Sequence, residues 1–297
     1  MDYMERRRKL ELKPIIYVLP VLVVLIFLNF YPIAYSIYLS MTDFSVIHFF
    51  NYHFIGLENY KFVLTSPQFL LILKNTVIWS AGSIAVMVPV GFILANIMVQ
   101  PGLKGMSAFR VVYLIPWAFP AFITILIWSN MLAANGGIIN DVLRALHIPA
   151  PYWLTSHRFA MLSMILVNLW LSFAYYTFVY TAALQSVPHE LYEAASMDGY
   201  GALGKLRLVT IPLLKRQIAF ITIFGFIFTW NNFYIPFLLT GGGPGYATQI
   251  FITYSYLEAF SYTNYALGAA YAIISIIILL VFVVLANKYT RMMSILY

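Results

Sequence analysis

The stretch "EAASMDGYGALGKLRLVTIPLLK" runs from Glu193 to Lys215 and carries five charges, on Glu193, Asp198, Lys205, Arg207 and Lys215. It lies in a chain of 297 residues of which 62% are hydrophobic and only 9% charged. Soluble domains carry roughly 25% charged residues, so this chain cannot clothe itself for water. Most of its surface must face lipid or apolar protein, and a charged loop between two apolar runs needs a reason.

Uncharged runs, with His counted as uncharged, extend over 14–42, 75–103, 111–140, 159–189, 217–257 and 259–287. Each exceeds the roughly 20 residues that a helix needs to cross a bilayer. Six spanning helices are expected, at 15–40, 69–99, 111–133, 159–183, 217–239 and 264–287. A helix satisfies its own backbone in hydrocarbon, and the alternating segments of about ten residues that build a barrel are absent. The expected fold is an all-α membrane protein. Pro20, Pro32, Pro89, Pro116 and Pro120 fall inside these runs. Each removes a backbone hydrogen bond and kinks its helix, and kinked helices often line the pathway of a transporter.

Charge sets the orientation. Six helices put both ends on one side. That side holds thirteen Lys and Arg, in residues 1–13, the turn 101–110, the loop from Ser186 to Arg216 and the tail. The other side holds four: Lys61, Lys74, Arg144 and Arg158. Cytoplasmic loops are the ones enriched in Lys and Arg, so both termini and the 186–215 loop are expected in the cytoplasm. The chain divides into a cytoplasmic segment 1–14, a membrane domain 15–287 and a tail 288–297, with outer segments at 41–68, 134–158 and 240–263. The first apolar run is too long for a cleaved leader and no small-residue cleavage site follows it, so it reads as a retained insertion signal. The net charge of +7 follows from this asymmetry and is no sign of nucleic-acid binding.

Little points to an enzyme. There is no cysteine, hence no disulfide framework or thiolate metal site. The five histidines, His48, His53, His147, His157 and His189, scatter over three loops, and no metal site is expected. No carboxylate is expected at membrane depth, where a proton-coupled carrier keeps one. "GGGPG" at 241–245 lacks the Lys-Ser/Thr of a nucleotide loop and reads as an outer turn. The inner loop carries more information. "SVPHELYEAASM" suits a short helix capped by Ser186, with Glu190 and Glu193 in its first turns. Leu191, Ala194 and Ala195 give it a small apolar face. Asp198-Gly199 breaks it, "ALGKLRLV" restarts a second short helix with Lys205 and Arg207 outward, and Thr210 and Pro212 suit the start of the fifth span. Small residues of this kind let another protein surface approach closely.

The loop resembles the EAA loop of ABC-importer permeases. Glu193, Ala194, Ala195, Asp198, Gly199, Thr210 and Pro212 match the family pattern, whereas Tyr200 replaces its Ala, Leu206 its Phe, Val209 its Ile and Ile211 its Leu, and Arg216 stands where a second Pro is common. "FIGLENYKFVL", "RVVYLIPWAFPAFITILIWSNML", "GGIIN", "NLWLSFAYYTFVYTAALQSVPHELYEAASMDG" and "NNFYIPFLLTGGGP" are similar to sugar-importer permeases of the MalF/UgpA-like carbohydrate-uptake group. The resemblance implies a type I ABC importer transmembrane domain in a prokaryotic cell (inner) membrane, with no catalysis of its own. It implies a second, MalG/UgpE-like permease, two ATPase subunits that bind ATP and Mg, and an extracytoplasmic solute-binding protein that meets the outer segments. No cofactor is expected in this chain.

The resemblance also implies residue roles. Glu193, Ala194, Ala195, Asp198 and Gly199 dock the ATPase, with Glu193 pairing a basic residue there. The substrate site falls on Leu171, Ser172 and Tyr175 of the fourth helix and Gly225, Phe228 and Thr229 of the fifth, each set at helical spacing. Trp230, Asn231 and Asn232 follow and can add hydrogen bonds. Tyr175 and Phe228 suit stacking on a sugar, Ser172 and Thr229 its hydroxyls. Thr229 stands where the family has Asn, and Gly225 where it has Ser. The expected activity is ATP-driven import of a sugar or oligosaccharide. Import of glycerol 3-phosphate or another polyol is one alternative, ranked lower because no Arg or Lys cluster lies at membrane depth. An ATP-independent secondary carrier is the other, and it leaves the EAA loop without a purpose.

Overall fold

The computed structural model describes residues 12–100 and 105–290. The basic residues of segment 1–11, Lys104 and Arg291 lie outside them, so the orientation argument drawn from those charges falls partly outside the described residues. Thirteen helices are labelled here in chain order: α1 (Tyr17–Ser40), α2 (Glu58–Thr65), α3 (Pro67–Met98), α4 (Met106–Val112), α5 (Ile115–Ala118), α6 (Ala121–Met131), α7 (Ile138–Ala145), α8 (Ala160–Gln185), α9 (His189–Met197), α10 (Ala202–Trp230), α11 (Tyr234–Thr240), α12 (Phe251–Tyr256) and α13 (Tyr265–Lys288). The only β pairing among the described residues is one bridge between Thr42 and Phe54.

Five helices, α1, α3, α8, α10 and α13, are long and apolar enough to cross a membrane. The run expected as a single third span, 111–133, is instead three pieces, α4, α5 and α6. Its prolines explain the breaks. Pro116 sits in the first turn of α5, where its missing N–H has no partner to lose. Phe119, which precedes Pro120, is extended at φ −81 and ψ 144, the conformation that a following proline favours. The piece left, α6, has 11 residues and is about 16 Å long, short of a bilayer. The fifth span also departs from its expected bounds. It begins at Ala202 and runs without interruption to Trp230, through a π-helical turn at Leu206–Thr210. Thr210 and Pro212 therefore lie inside a continuous helix and do not start one. Residues 231–233 then break the run before α11.

The most extensive helix contact joins α3 to α8, and α10 packs on α3 beside it. In lipid, helices gain little from apolar contact alone and associate where small residues let backbones approach. Tyr176 of α8, 4% exposed, marks that place. A β-carbon at Gly91 of α3 would overlap the Tyr176 Cβ, and one at Gly225 of α10 would overlap the Tyr176 hydroxyl. Nearby, the Asn168 amide donates to Ser83 Oγ at 3.2 Å in the buried α3–α8 seam. By contrast, α1 is exposed over most of its length and packs through Tyr31–Ser40 against α13.

The segments at the end opposite α9 are stitched together. Asn59 donates to the carbonyls of Ser40 and Thr42 at 3.0 and 2.7 Å. Backbone bonds join Val46 to Thr263 and Ala266 to Phe44. Asn75 of α3, buried, donates to the carbonyls of Tyr246 and Gln249. "GGGPG" lies in the turn after α11, as its composition suggests.

The close approach at Tyr176 makes a direct prediction. Gly225→Ala lowers the thermal midpoint of the detergent-solubilised chain, because overpacking costs about 1–3 kcal/mol. Tyr176→Phe in the same background recovers part of the loss, since it removes the hydroxyl that the new methyl would meet. An additive loss in the double variant contradicts this packing account.

Candidate functional site: a cleft between α8 and α10

A cleft of about 500 Å³ opens between α8 and α10. Its floor is set by how α10 ends. The break at 231–233 leaves the last carbonyls of α10 without helical partners, and inside a membrane such groups must find others. The Thr229 carbonyl accepts the Trp79 indole N–H at 2.9 Å and the Asn232 amide at 3.0 Å. The Asn232 side-chain oxygen accepts the Ile235 N–H at 3.2 Å and so starts α11. The Asn231 side-chain amide turns back to the Ile227 carbonyl at 2.9 Å. Two asparagines thus let the chain change direction at the edge of a cavity.

Seven of the eight sequence-derived substrate residues line this cleft: Leu171, Ser172, Tyr175, Gly225, Phe228, Thr229 and Asn232. Tyr175 and Phe228 are 45% and 69% exposed, so both ring faces are open to a ligand. The Ser172 hydroxyl donates to the Asn168 side-chain oxygen at 3.3 Å and keeps its own acceptor capacity. Thr229 is buried, and its backbone helps to form the floor. Gly225 serves the packing, since its missing side chain is the space that the Tyr176 hydroxyl fills.

The eighth residue, Trp230, is a correction. Its indole is 2% exposed and donates to Ser275 Oγ of α13 at 2.8 Å. Being next to Thr229, it points about 100° further round the helix and holds α10 to α13. Sequence reasoning missed Trp117, Asn168, Phe220, Phe224 and Tyr234, which also line the cleft. Spacing held the signal for two of them, because Phe220 and Phe224 stand at i−8 and i−4 from Phe228. Trp117 and Tyr234 come from α5 and α11, whose breaks were not foreseen. Among the described residues no charged side chain lines the cleft.

The loop at the other end of α10 is firmly attached to it. α9 starts after Pro188, which stands at its N-cap, and not at Ser186, whose hydroxyl bonds back to the Ala183 carbonyl at 2.7 Å. Proline disfavours helical backbone in the residue before it, so the helix cannot begin earlier. α9 ends in a Schellman motif: Gly199 has φ +81, its N–H reaches the Ser196 carbonyl, and the Tyr200 N–H reaches the Ala195 carbonyl at 2.9 Å. The two short helices expected here are one short helix and the extended foot of α10. Tyr192 of α9 bonds through its hydroxyl to Thr210 Oγ1 in the π turn of α10 at 3.1 Å.

Ala195 is buried against this foot, while Leu191, Ala194, Met197 and Asp198 face outward. Glu193 is exposed and pairs within its own helix, with His189 Nδ1 at 3.1 Å. That pair of residues four apart was overlooked in the sequence.

Comparison with known proteins places this architecture. Residues 87–293 match the family described as binding-protein-dependent transport system inner membrane component. The galactooligosaccharides transport system permease protein GanP of Bacillus subtilis is 34% identical over 269 residues, which cover 86% of this chain and 64% of that protein. The maltodextrin transport system permease protein MdxF of the same organism is 31% identical, again covering 86% and 64%. The maltodextrin transport system permease protein MalC of Streptococcus pneumoniae is 32% identical, covering 93% and 68%. The chain thus spans less than two thirds of the first two relatives. A crystal structure of a bacterial ABC transporter that imports the acidic polysaccharide alginate superimposes with a TM-score of 0.81 at 23% identity, over 94% of each chain, and supports the fold. With the family match spanning the cleft, α9 and all of α10, this chain belongs to the binding-protein-dependent transport system inner membrane components.

Proposed function

We propose that the chain is the membrane-spanning permease subunit of an ATP-driven, binding-protein-dependent ABC importer for a neutral sugar or oligosaccharide. It forms half of the translocation pathway in the cytoplasmic membrane of a prokaryote and carries out no covalent chemistry. The observation that carries this reading is a single helix, α10, with an uncharged aromatic and amide-lined cleft at one end and an attached, outward-facing helix, α9, at the other. Aromatic rings offer apolar faces to the C–H face of a sugar, and Asn, Ser and Tyr offer donors and acceptors to its hydroxyls. A phosphate or a uronate would enter this cleft without a cationic partner, at high desolvation cost.

In this reading α9 docks a cytoplasmic ATPase through Glu193, Ala194, Ala195, Asp198 and Gly199. Two ATPase subunits bind ATP and Mg, a second permease of the MalG/UgpE type completes the pathway, and a solute-binding protein delivers the sugar to the outer segments. The excess of Lys and Arg on the α9 side supports a cytoplasmic position for α9 and both termini. Closure of the ATPase pair moves α9, and the Tyr192–Thr210 contact passes the motion to α10. The walls of the cleft then shift as rigid bodies, which is how alternating access proceeds around a fixed site.

Two measurements test the reading. In the assembled transporter, Glu193→Ala and Gly199→Pro lower sugar-stimulated ATP hydrolysis about five-fold or more, the scale of a coupling energy, while the chain still inserts. Proline cannot adopt the positive φ of Gly199. Normal stimulation in both variants contradicts ATPase docking by α9. Tyr175→Ala raises the half-saturating sugar concentration for uptake about ten-fold, and Tyr175→Phe changes it about two-fold, since the ring and not the hydroxyl supplies most of the contact. Unchanged uptake in Tyr175→Ala removes that residue from the site.

A further inference from the structure

The wall of the cleft on α10 extends well past the proposed site. Phe220, Phe224 and Phe228 stand four residues apart and all three line the cleft. Side chains at this spacing share one helix face and climb about 6 Å per step. The rings of Phe220 and Phe224 lie 4.3 Å apart between centroids. They are 47% and 41% exposed, and Phe228 69%. Across from them stand Tyr175 and Val179 of α8, also one turn apart. The opposite face of α10 is occupied otherwise, because Phe226 stacks on Phe282 and Trp230 bonds to Ser275. The series therefore runs along the cleft from its floor at Thr229 to one turn short of Arg216, toward the end that carries α9.

We propose that Phe224 and Phe220 continue the substrate path beyond Phe228, as an aromatic ladder that receives successive sugar rings of a linear, neutral oligosaccharide on its way to the α9 side. The inference rests on the sugar-importer reading given above and deepens it by assigning the length and charge of the cargo. A ring face bonds no particular hydroxyl, so each rung accepts any pyranose and releases it readily. A path needs that property, because sites along it must bind firmly enough to admit the solute and weakly enough to let it leave. A disaccharide seated at Phe228 and Tyr175 leaves the lower rungs empty, whereas a chain of four units reaches them. The absence of charge along the described lining suits uncharged units throughout.

The chain has no cysteine, so a single introduced thiol is the one labelling site within this chain, and its label is read on this chain after the subunits are separated. Phe220→Cys, Phe224→Cys and Phe228→Cys would each be placed in the assembled transporter. Labelling by a small, water-soluble, membrane-impermeant maleimide is then timed with a disaccharide and a tetrasaccharide from each of two neutral series, maltodextrins and galactooligosaccharides. All three thiols label without sugar. In one series both sugars, at about four times their dissociation constants, slow labelling at position 228 about five-fold, because sugar held on the remaining rings covers the thiol. Only the tetrasaccharide does so at 220 and 224. In addition, Phe224→Leu, which keeps apolar bulk but offers no ring, raises the half-saturating concentration of the tetrasaccharide about five-fold and that of the disaccharide less than two-fold. Failure of 220 and 224 to label without sugar places them outside the aqueous path, against lipid or a partner subunit, and overturns the ladder. So does protection confined to 228, which leaves the importer reading standing. Absence of protection at all three positions by both series overturns the substrate reading of the cleft and the ladder with it.

Discussion

Three helices meet where Tyr176 lies between Gly91 and Gly225. A bilayer gives apolar helices no hydrophobic reason to pack, so close backbone approach has to supply the attraction. Two residues without side chains provide it, and one tyrosine fills the space they leave. The rest of the site follows from this contact. With Tyr176 turned into the seam, its neighbour Tyr175 faces the cleft. With Gly225 pressed on the Tyr176 hydroxyl, the adjoining face of α10 presents Phe224 and Phe228 to the same space.

The second constraint is the bilayer's intolerance of unpaired backbone groups. Both helix breaks lie beside the cleft, at Pro116–Pro120 and at 231–233, and the second is repaired by side chains. Trp79 reaches across from α3 to the Thr229 carbonyl, and Asn232 starts α11. Irregular backbone at membrane depth is tolerated where it lines a cavity, and helices broken there are a mark of transporters. The continuity of α10 matters as much as the breaks. A loop attached by a flexible linker would absorb a push from a partner, whereas α9 is joined to α10 by a Schellman turn and the Tyr192–Thr210 bond. In the proposed reading, this attachment is what carries motion from α9 to the cleft.

Much of this was legible in the amino-acid sequence, for physical reasons. Long uncharged runs marked the spans, because charge is costly in lipid, and the bounds of α1, α3, α8 and α13 fall within a few residues of those expected. The faces of α8 and α10 came from the family resemblance, and helical spacing agrees with them. What failed was local. Proline was read as a kink in the third span, yet two prolines four residues apart leave no complete turn between them. Ser186 looked like a cap, but Pro188 delays the start of α9. Trp230 was grouped with its neighbours by adjacency along the chain, when a helix turns by about 100° at each residue. The contributions of Trp117 and Tyr234 depend on tertiary arrangement, and no pattern in their own segments announced them.

The central claim is that this chain gates a sugar pathway under the power of a separate ATPase. Its most direct test is uptake of radiolabelled maltodextrins and galactooligosaccharides into proteoliposomes. These would hold the chain purified from its native membrane with whatever subunits accompany it, with and without ATP and Mg inside and a sugar-loaded binding protein outside. The account predicts that an ATPase and a second permease copurify, and that uptake requires both ATP and the binding protein. Uptake by the chain alone, down a gradient and indifferent to ATP, would contradict it.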